Sequence, residues 1–287
     1  MKWTNFHSHT HYCDGSDSPE VFLQQALNSN IAKYGFSGHA PVDFSAEWCI
    51  KSNQIVAYLS EIELLRKKYS GQIDVFKGLE IDFFHDLKGR AAALAQKHNL
   101  DYFVGSVHFV DSFPDGTRWD IISKSQDFKQ GLLLIFGNDG RKFVERYFQL
   151  ISEMATYEKP DIIGHIDLIQ NLNVDGFLFD DESDWYNIAT NNALDAILAS
   201  GSIVEVSTRG LYKKRISGLY PAIPLLKKIL VRRIPITLNS DCHQPAEVVS
   251  HFEYAVQLLL QLGFNQLQVM SEGAWQGVEF TEKGLYL

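Results

Sequence analysis

An α/β fold built from repeated βα units, closed into a barrel, is the architecture that this 287-residue chain predicts. Three observations carry the expectation. Short apolar runs alternate with longer stretches of helical period, the pattern of parallel βαβ units. No GxGxxG turn follows the first run, so nothing favours an open dinucleotide-binding sheet, the alternative arrangement of such units. Six of the seven runs end in a histidine, aspartate or glutamate, as expected where strand ends converge on one face of a barrel and bring distant residues around one pocket.

The first run, KWTNFH, leads into His7, His9 and His11 on alternate positions and then Asp14. Residues two apart share a face in extended backbone, so His7 and His9 are placed to grip one metal ion, whereas His11 lies further into the turn. DGSDSP has turn composition, and Asp14, directly after the paired histidines, is a further candidate ligand. SPEVFLQQALNSN follows as a helix, with Ser18 placed to cap, Pro19 at the first helical position, and Phe22, Leu23, Ala26 and Leu27 on one face. The next runs are YGFSGH, IDVFKGLE, YFVGSVH and DIIGH, ending in His39, Glu80, His108 and His165. Between the last two, LLLIFGNDGRKFVERYFQLISEM reads as an outer helix packed on the barrel. SIVEVST carries Glu205, expected to hold a ligand histidine rather than to bind metal itself. IPITLNSD ends in Asp241, with His243 two residues on, and QPAEVVSHFEYAVQLLLQLG then reads as a helix opened by Pro245 and closed by Gly263. His85, His98 and His251 fall away from strand ends and read as surface or packing residues.

Composition bounds the function. With 45% hydrophobic residues and no shift in composition, the chain is expected to be a single domain over residues 1–287. It has neither a long uninterrupted apolar stretch nor a basic segment followed by an apolar run, which points to a soluble cytoplasmic protein without a membrane partner. Cys13, Cys49 and Cys242 lack CxxC spacing and read as free thiols. The net charge of -9 counts against nucleic acid as a partner. Oligomeric state is not encoded in any of these features.

Taken together, HSHT at 7–10, CDG at 13–15, SGHAP around His39, GLEID around Glu80, GSVHF around His108, GHID at 164–167 and SDCH at 240–243 resemble the PHP family, which joins polymerase domains and histidinol phosphatases. GSVHF, GHIDLI, STRGLYKK and NSDCHQP are most similar to its stand-alone histidinol-phosphatase branch. The resemblance implies a distorted (β/α)7 TIM-like barrel with three divalent metal ions, zinc, manganese or iron. His7, His9, Glu80 and Asp241 would hold one metal; Glu80, His108 and His165 a second; Asp14, His39 and His243 a third. The chain departs from the branch at Asp14, where a histidine one residue later is common, and after His165, where many members carry arginine and this chain has IDLIQN.

The implied activity is hydrolysis of a small phosphomonoester, L-histidinol phosphate first, by a hydroxide bridging two metals; the alternatives are a phosphoesterase of the same chemistry acting on another small phosphate ester or on nucleic-acid ends, and a non-catalytic metal-binding scaffold, against which the full ligand set counts. Arg209, beyond the sixth strand, is the expected phosphate clamp, supported by Lys213, Lys214, Arg215 and Ser106. Asp241 is a candidate general acid toward the leaving alkoxide. The loop VDSFPDGTRWD, with Asp111, Asp115 and Trp119, is expected to meet the non-phosphate part of the substrate.

Overall fold

A computed structural model describes residues 2–122 and 125–287. All seven predicted runs form strands, and they lie side by side in chain order. These are β1 (Trp3–Asn5), β2 (Ile31–Phe36), β3 (Asp74–Asp82), β4 (Tyr102–Ser106), then, beyond a two-stranded hairpin of β5 (Phe109–Ser112) and β6 (Arg118–Asp120), β7 (Ile162–Ile163), β8 (Ile203–Ser207) and β9 (Ile236–Asn239). Every neighbouring pair in the seven-stranded sheet is parallel. The sheet curls so that its two edges meet. A parallel bridge joins Ser8 to Cys242, and the Asn239 side chain accepts from the Phe6 amide at 2.8 Å. Asn5 crosses the same seam, donating to Ser240 Oγ at 2.7 Å and to the Val248 carbonyl at 3.0 Å. Side chains thus replace part of the ladder between β1 and β9, which is the distortion of the barrel.

Helices follow the strands around the outside: α1 (Pro19–Asn28), α2 (Ile55–Lys68), α3 (Arg90–His98), α4 (Ser125–Phe136), α5 (Gly140–Tyr157), α6 (Asp184–Ser200), the short α7 (Arg209–Tyr212), α8 (Ile223–Arg232) and α9 (Phe252–Leu262). Phe22, Leu23 and Ala26 are the buried face of α1 as its spacing predicts, but Ser18 occupies the N-cap position without a side-chain cap bond. The expected single outer helix is two. Gly137 and Asn138 take left-handed backbone (φ 64° and 62°), ending α4, and Asp139 caps α5 by accepting from the Lys142 amide at 3.1 Å. The last predicted helix is likewise divided: Pro245–Glu247 make one 3-10 turn, and α9 begins only after His251, which sits at φ 59°. Among the described residues no helix is long and apolar enough to cross a membrane.

The chain ends in an antiparallel sheet that the helix and strand periods do not announce: β10 (Gln266–Ser271), β11 (Ala274–Thr281) and β12 (Gly284–Leu285). It seals the barrel at the end where the strands begin. Trp275 of β11 packs edge-on against Phe6 and near Tyr102, at 5.0 and 6.0 Å between ring centres, and donates to Asp161 Oδ1 just before β7. Tyr102 is buried in this plug and donates to the Phe6 carbonyl at 2.7 Å. Its ring fits because β2 and β3 present Gly35 and Gly78 to it. A Cβ on Gly78 would lie 2.7 Å from the ring and 3.0 Å from the Phe36 carbonyl oxygen. Gly78→Ala is therefore expected to lower the unfolding free energy by about 1–3 kcal/mol through overpacking, read as a lower urea midpoint at unchanged slope; an unchanged midpoint would show that the plug yields freely.

Candidate metal centre

With one end sealed, the opposite end, where the strands finish, carries the polar residues. The nine predicted ligands meet there: seven line a cavity of about 190 Å³, and His7 and His9 lie behind it against Glu80 and Asp241. Their placement follows from strand geometry. His7 and His9 leave β1 two residues apart with ring centres 5.2 Å from each other, both fully buried. Glu80 lies within β3, while His39, His108, His165, Asp241 and His243 lie just beyond β2, β4, β7 and β9.

Glu80 lies between two halves of the cluster. Its Oε2 is 3.3 Å from His7 Nε2, 3.5 Å from His9 Nε2 and 2.9 Å from His39 Nδ1. Its Oε1 accepts from Ser106 Oγ at 2.6 Å and faces His165 Nε2 at 3.1 Å and His108 Nε2 at 3.6 Å. Burial works against the charge, but His39, His7 and His108 outweigh it and hold the carboxyl well below its usual range. Asp241 Oδ1 faces His9 Nε2 at 3.2 Å and His7 Nε2 at 3.6 Å. Asp14, on a turn that folds back so that the Gly15 amide donates to the Thr10 carbonyl, reaches His243 Nε2 at 3.0 Å and His39 Nε2 at 3.6 Å. Donor atoms of His9, Asp14, His39 and His243 lie within 4.8 Å of one another, as do those of His7, His9 and Asp241, and those of His39, Glu80 and His108. His9 and His39 therefore each border two groups, which is closer sharing than the implied one-residue overlap at Glu80.

The chemistry of these atoms is that of a metal site. His7 Nε2, His9 Nε2 and Glu80 Oε2 are buried, face one another and have no hydrogen-bond partner. Buried polar atoms left without partners in this way are costly unless a cation satisfies them. Burial, with His243 and His39 beside it, pushes His9 well below the usual imidazole value, so the ring is neutral, the form that ligates. Cys13, although its Sγ is 3.6 Å from His9 Nδ1, is no thiolate: burial and Asp14 push its pKa up to about 12.

A second layer aims the ligands. Glu205 is fully buried and takes the role its strand position predicts: Oε1 is 2.7 Å from His7 Nδ1, leaving Nε2 to face the cluster, and Oε2 accepts the His165 amide at 2.9 Å. Asp82, which sequence reasoning missed, does the same for His108, with Oδ1 3.1 Å from Nδ1 and accepting the His108 amide at 3.0 Å. Its signal was the period of two: Asp82 follows Glu80 on the same face of β3. Glu247, also missed, accepts the His243 amide at 2.9 Å.

The predicted phosphate contacts are rearranged. Arg209 lines the cavity, yet it already serves the ligands: Nη1 donates to the Asp241 carbonyl at 2.7 Å and lies 2.5 Å from His243 Nδ1, and Nε is 3.4 Å from Asp241 Oδ2. Together with Tyr212, which donates to the same carbonyl at 2.8 Å, it holds Asp241 in left-handed backbone (φ 52°). Arg215 lines the cavity as well. Lys213 pairs with Glu247 at 2.6 Å, Lys214 is exposed, and neither lines the cavity. Ser106 is engaged by Glu80 and is fully buried, which removes it as a phosphate contact. In the acidic loop, Asp111 pairs with Arg146 at 2.7 Å, Asp115 accepts the Thr117 amide, and Trp119 is buried against Phe128 and Phe143, so none of the three faces the cavity. His11 is exposed and directed to the Asp17 carbonyl; His85 pairs with Glu153.

A parallel barrel that gathers nine imidazoles and carboxylates at its strand ends defines a protein of the α/β-barrel class with side-chain clusters suited to metal. The chain belongs to the PHP domain family, whose model matches residues 5–209. It is 28% identical over 260 residues to a Deinococcus radiodurans protein named "Probable histidinol-phosphatase", covering 90% of this chain and 92% of the relative. It is 26% identical over 269 residues to the "Histidinol-phosphatase" of Bacillus subtilis, covering 88% and 98%. In fold it is similar to a histidinol phosphate phosphatase from Lactococcus lactis, solved with zinc, L-histidinol and phosphate, at a TM-score of 0.72 and 18% identity over 96% of this chain and 99% of that one.

Replacing Glu205 by Gln is expected to free the His7 ring and to weaken the tightest-held metal by about 10–100-fold, measured by competition with a chromophoric chelator; unchanged affinity would show that His7 needs no such partner.

Proposed function

We propose that this protein is a metal-dependent phosphomonoesterase that hydrolyses L-histidinol phosphate to L-histidinol and phosphate, acting in histidine biosynthesis in the cytoplasm. The observation that carries this reading is the set of nine clustered side chains at a small cavity that is also lined by Arg215, a guanidinium with no ion-pair or hydrogen-bond partner among the described residues. The name shared by relatives matched over nearly their whole length supports the substrate.

His7, His9, Glu80 and Asp241, then Glu80, His108 and His165, then Asp14, His39 and His243 would hold three divalent ions; the mixed nitrogen and oxygen donors suit zinc, manganese or iron. When bound, such ions act as Lewis acids on phosphoryl oxygens and lower the pKa of water to about 7. The chain's own residues do the remaining work. Arg215 is our choice for direct contact with phosphate oxygens, its fork matching their geometry. Arg209 positions Asp241 and His243 from the side. Asp241 is not suited to the acid role expected of it: burial opposes its charge, but Arg209 and His7 hold its carboxyl well below the usual range, so it is ionised near neutrality. It serves as a ligand; the attacking water loses its proton to solvent and the leaving alkoxide takes one from solvent, so the protons balance.

Protein purified without chelator and supplied with manganese or zinc is expected to release inorganic phosphate from L-histidinol phosphate, and Glu80→Ala or His165→Ala to lower kcat by about 100-fold or more. Full-length protein that retains its metals and releases no phosphate would overturn the substrate. Arg215→Ala is expected to weaken competitive inhibition by inorganic phosphate by about 10-fold or more, as for loss of a charge-assisted hydrogen bond; unaltered inhibition would return the clamp to Arg209.

A further inference from the structure

The cavity at the metal cluster has a larger neighbour. Trp48, on the segment between β2 and α2, lines both. Its indole stands edge-on to two ligands, with ring centres 4.5 Å from His39 and 5.5 Å from His108. On the other side it stacks on Phe109 of β5 at 5.5 Å and 17° between planes, and its Nε1 donates to Asp120 Oδ2 of β6 at 3.3 Å. Phe44 stands edge-on to Phe109 at 5.1 Å. The result is a groove of about 650 Å³ between the segment that follows β2 and the β5–β6 hairpin, floored by Phe44, Trp48 and Phe109 and open to solvent.

Its charge is one-sided. Asp43, Glu47 and Asp120 line it, and Asp43 and Glu47 are exposed. Neither Asp43 nor Glu47 has an ion-pair partner among the described residues. Arg118, the groove's cation, is met from outside by Asp86 at 2.6 Å and lies over the Phe84 ring. A surface of aromatic faces with unpaired carboxylates attracts a cation carrying a planar group, by charge and by the ring quadrupoles. The location sharpens the point. A cationic leaving group next to a cluster of divalent ions is repelled unless carboxylates lie on its far side, whereas a neutral leaving group needs none.

We infer that this groove receives the non-phosphate part of the substrate, and that it selects phosphate esters of cationic, ring-bearing amino alcohols over neutral or anionic ones. The part-exposed rings of Phe44 and Trp48, the latter backed by the buried Phe109, supply the aromatic contact; Asp43 and Glu47 supply the counter-charge to an ammonium or imidazolium. The inference rests on the phosphatase reading above and assigns its specificity to residues that belong neither to the metal cluster nor to the acidic positions the sequence singled out.

The test compares two esters on metal-loaded protein: L-histidinol phosphate, whose leaving group is cationic, and p-nitrophenyl phosphate, whose leaving group is a planar ring without positive charge. In the Asp43→Asn, Glu47→Gln double variant, kcat/KM for L-histidinol phosphate is expected to fall about 5- to 10-fold, mainly through KM, as for two solvent-exposed charges, with p-nitrophenyl phosphate within about twofold of the parent. The preference of the parent for the cationic ester is expected to shrink as sodium chloride is raised, and that of the variant to be insensitive. Equal losses for both esters, or no change in either, would overturn the assignment. If the parent hydrolyses neither ester, the phosphatase reading fails, and calorimetry with L-histidinol decides the groove: binding weakened in the double variant supports it, equal binding refutes it.

Discussion

A carboxylate buried to 1% exposure needs cations or donors on both oxygens: Ser106 donates to Glu80 Oε1, five imidazoles face the two oxygens, and Oε2 is left for a cation. His39 also borders two of the donor groups, but Glu80 is the residue whose two oxygens face opposite ways into the cluster. Because Glu80 lies within β3, with Ala40 donating its amide to the Glu80 carbonyl at 2.8 Å and the Glu80 amide donating to the Ser37 carbonyl at 3.0 Å, its position is set by the sheet rather than by a loop. The imidazoles around it come from strand ends on either side of β3 and from across the barrel, so the curvature that closes the sheet is also what assembles the site.

Closure is itself unusual in being shared between backbone and side chains. Asn5 and Asn239 satisfy groups at the β1–β9 seam that a regular ladder would satisfy with amides and carbonyls. Asn239 also donates to Glu205 Oε1, the oxygen that holds His7. The seam and the aiming of a ligand are therefore one hydrogen-bond network, fully buried and high in cost if broken. Rigid ligands of this kind suit chemistry that relies on placed charges, since little reorganisation remains for the reacting state.

The two ends of the barrel do different work. Trp275, Tyr102 and Phe6 plug the end where strands begin, with glycines in β2 and β3 making room, and this apolar end carries stability. The opposite end accepts buried polar groups and a left-handed aspartate at position 241, features that cost stability and are held by Arg209 and Tyr212. The hairpin and the segment after β2 extend this end outward, with Trp48 between the ligands and the acidic groove.

The alternation of apolar runs with helical period was enough to place all seven barrel strands, and the polar residue at six of the strand ends was enough to tell which side chains gather at one face, because both depend on local repeats and on the convergence of parallel strands. Glu205 was legible for the same reason. What the sequence could not determine is which partner each side chain takes. Ser106 and Trp119 carry suitable groups, but Ser106 meets Glu80 and Trp119 meets Phe128 and Phe143, contacts set by long-range distance rather than by spacing. Arg209 and Arg215 look alike in STRGLYKKR, and only the folded loop commits the first to Asp241 and His243. The breaks at Asn138 and His251 were hidden because left-handed backbone at a non-glycine residue is decided by tertiary packing. Pattern determines which residues arrive at the strand ends; the directions of their side chains, and so the division of labour among them, are decided only when the barrel closes.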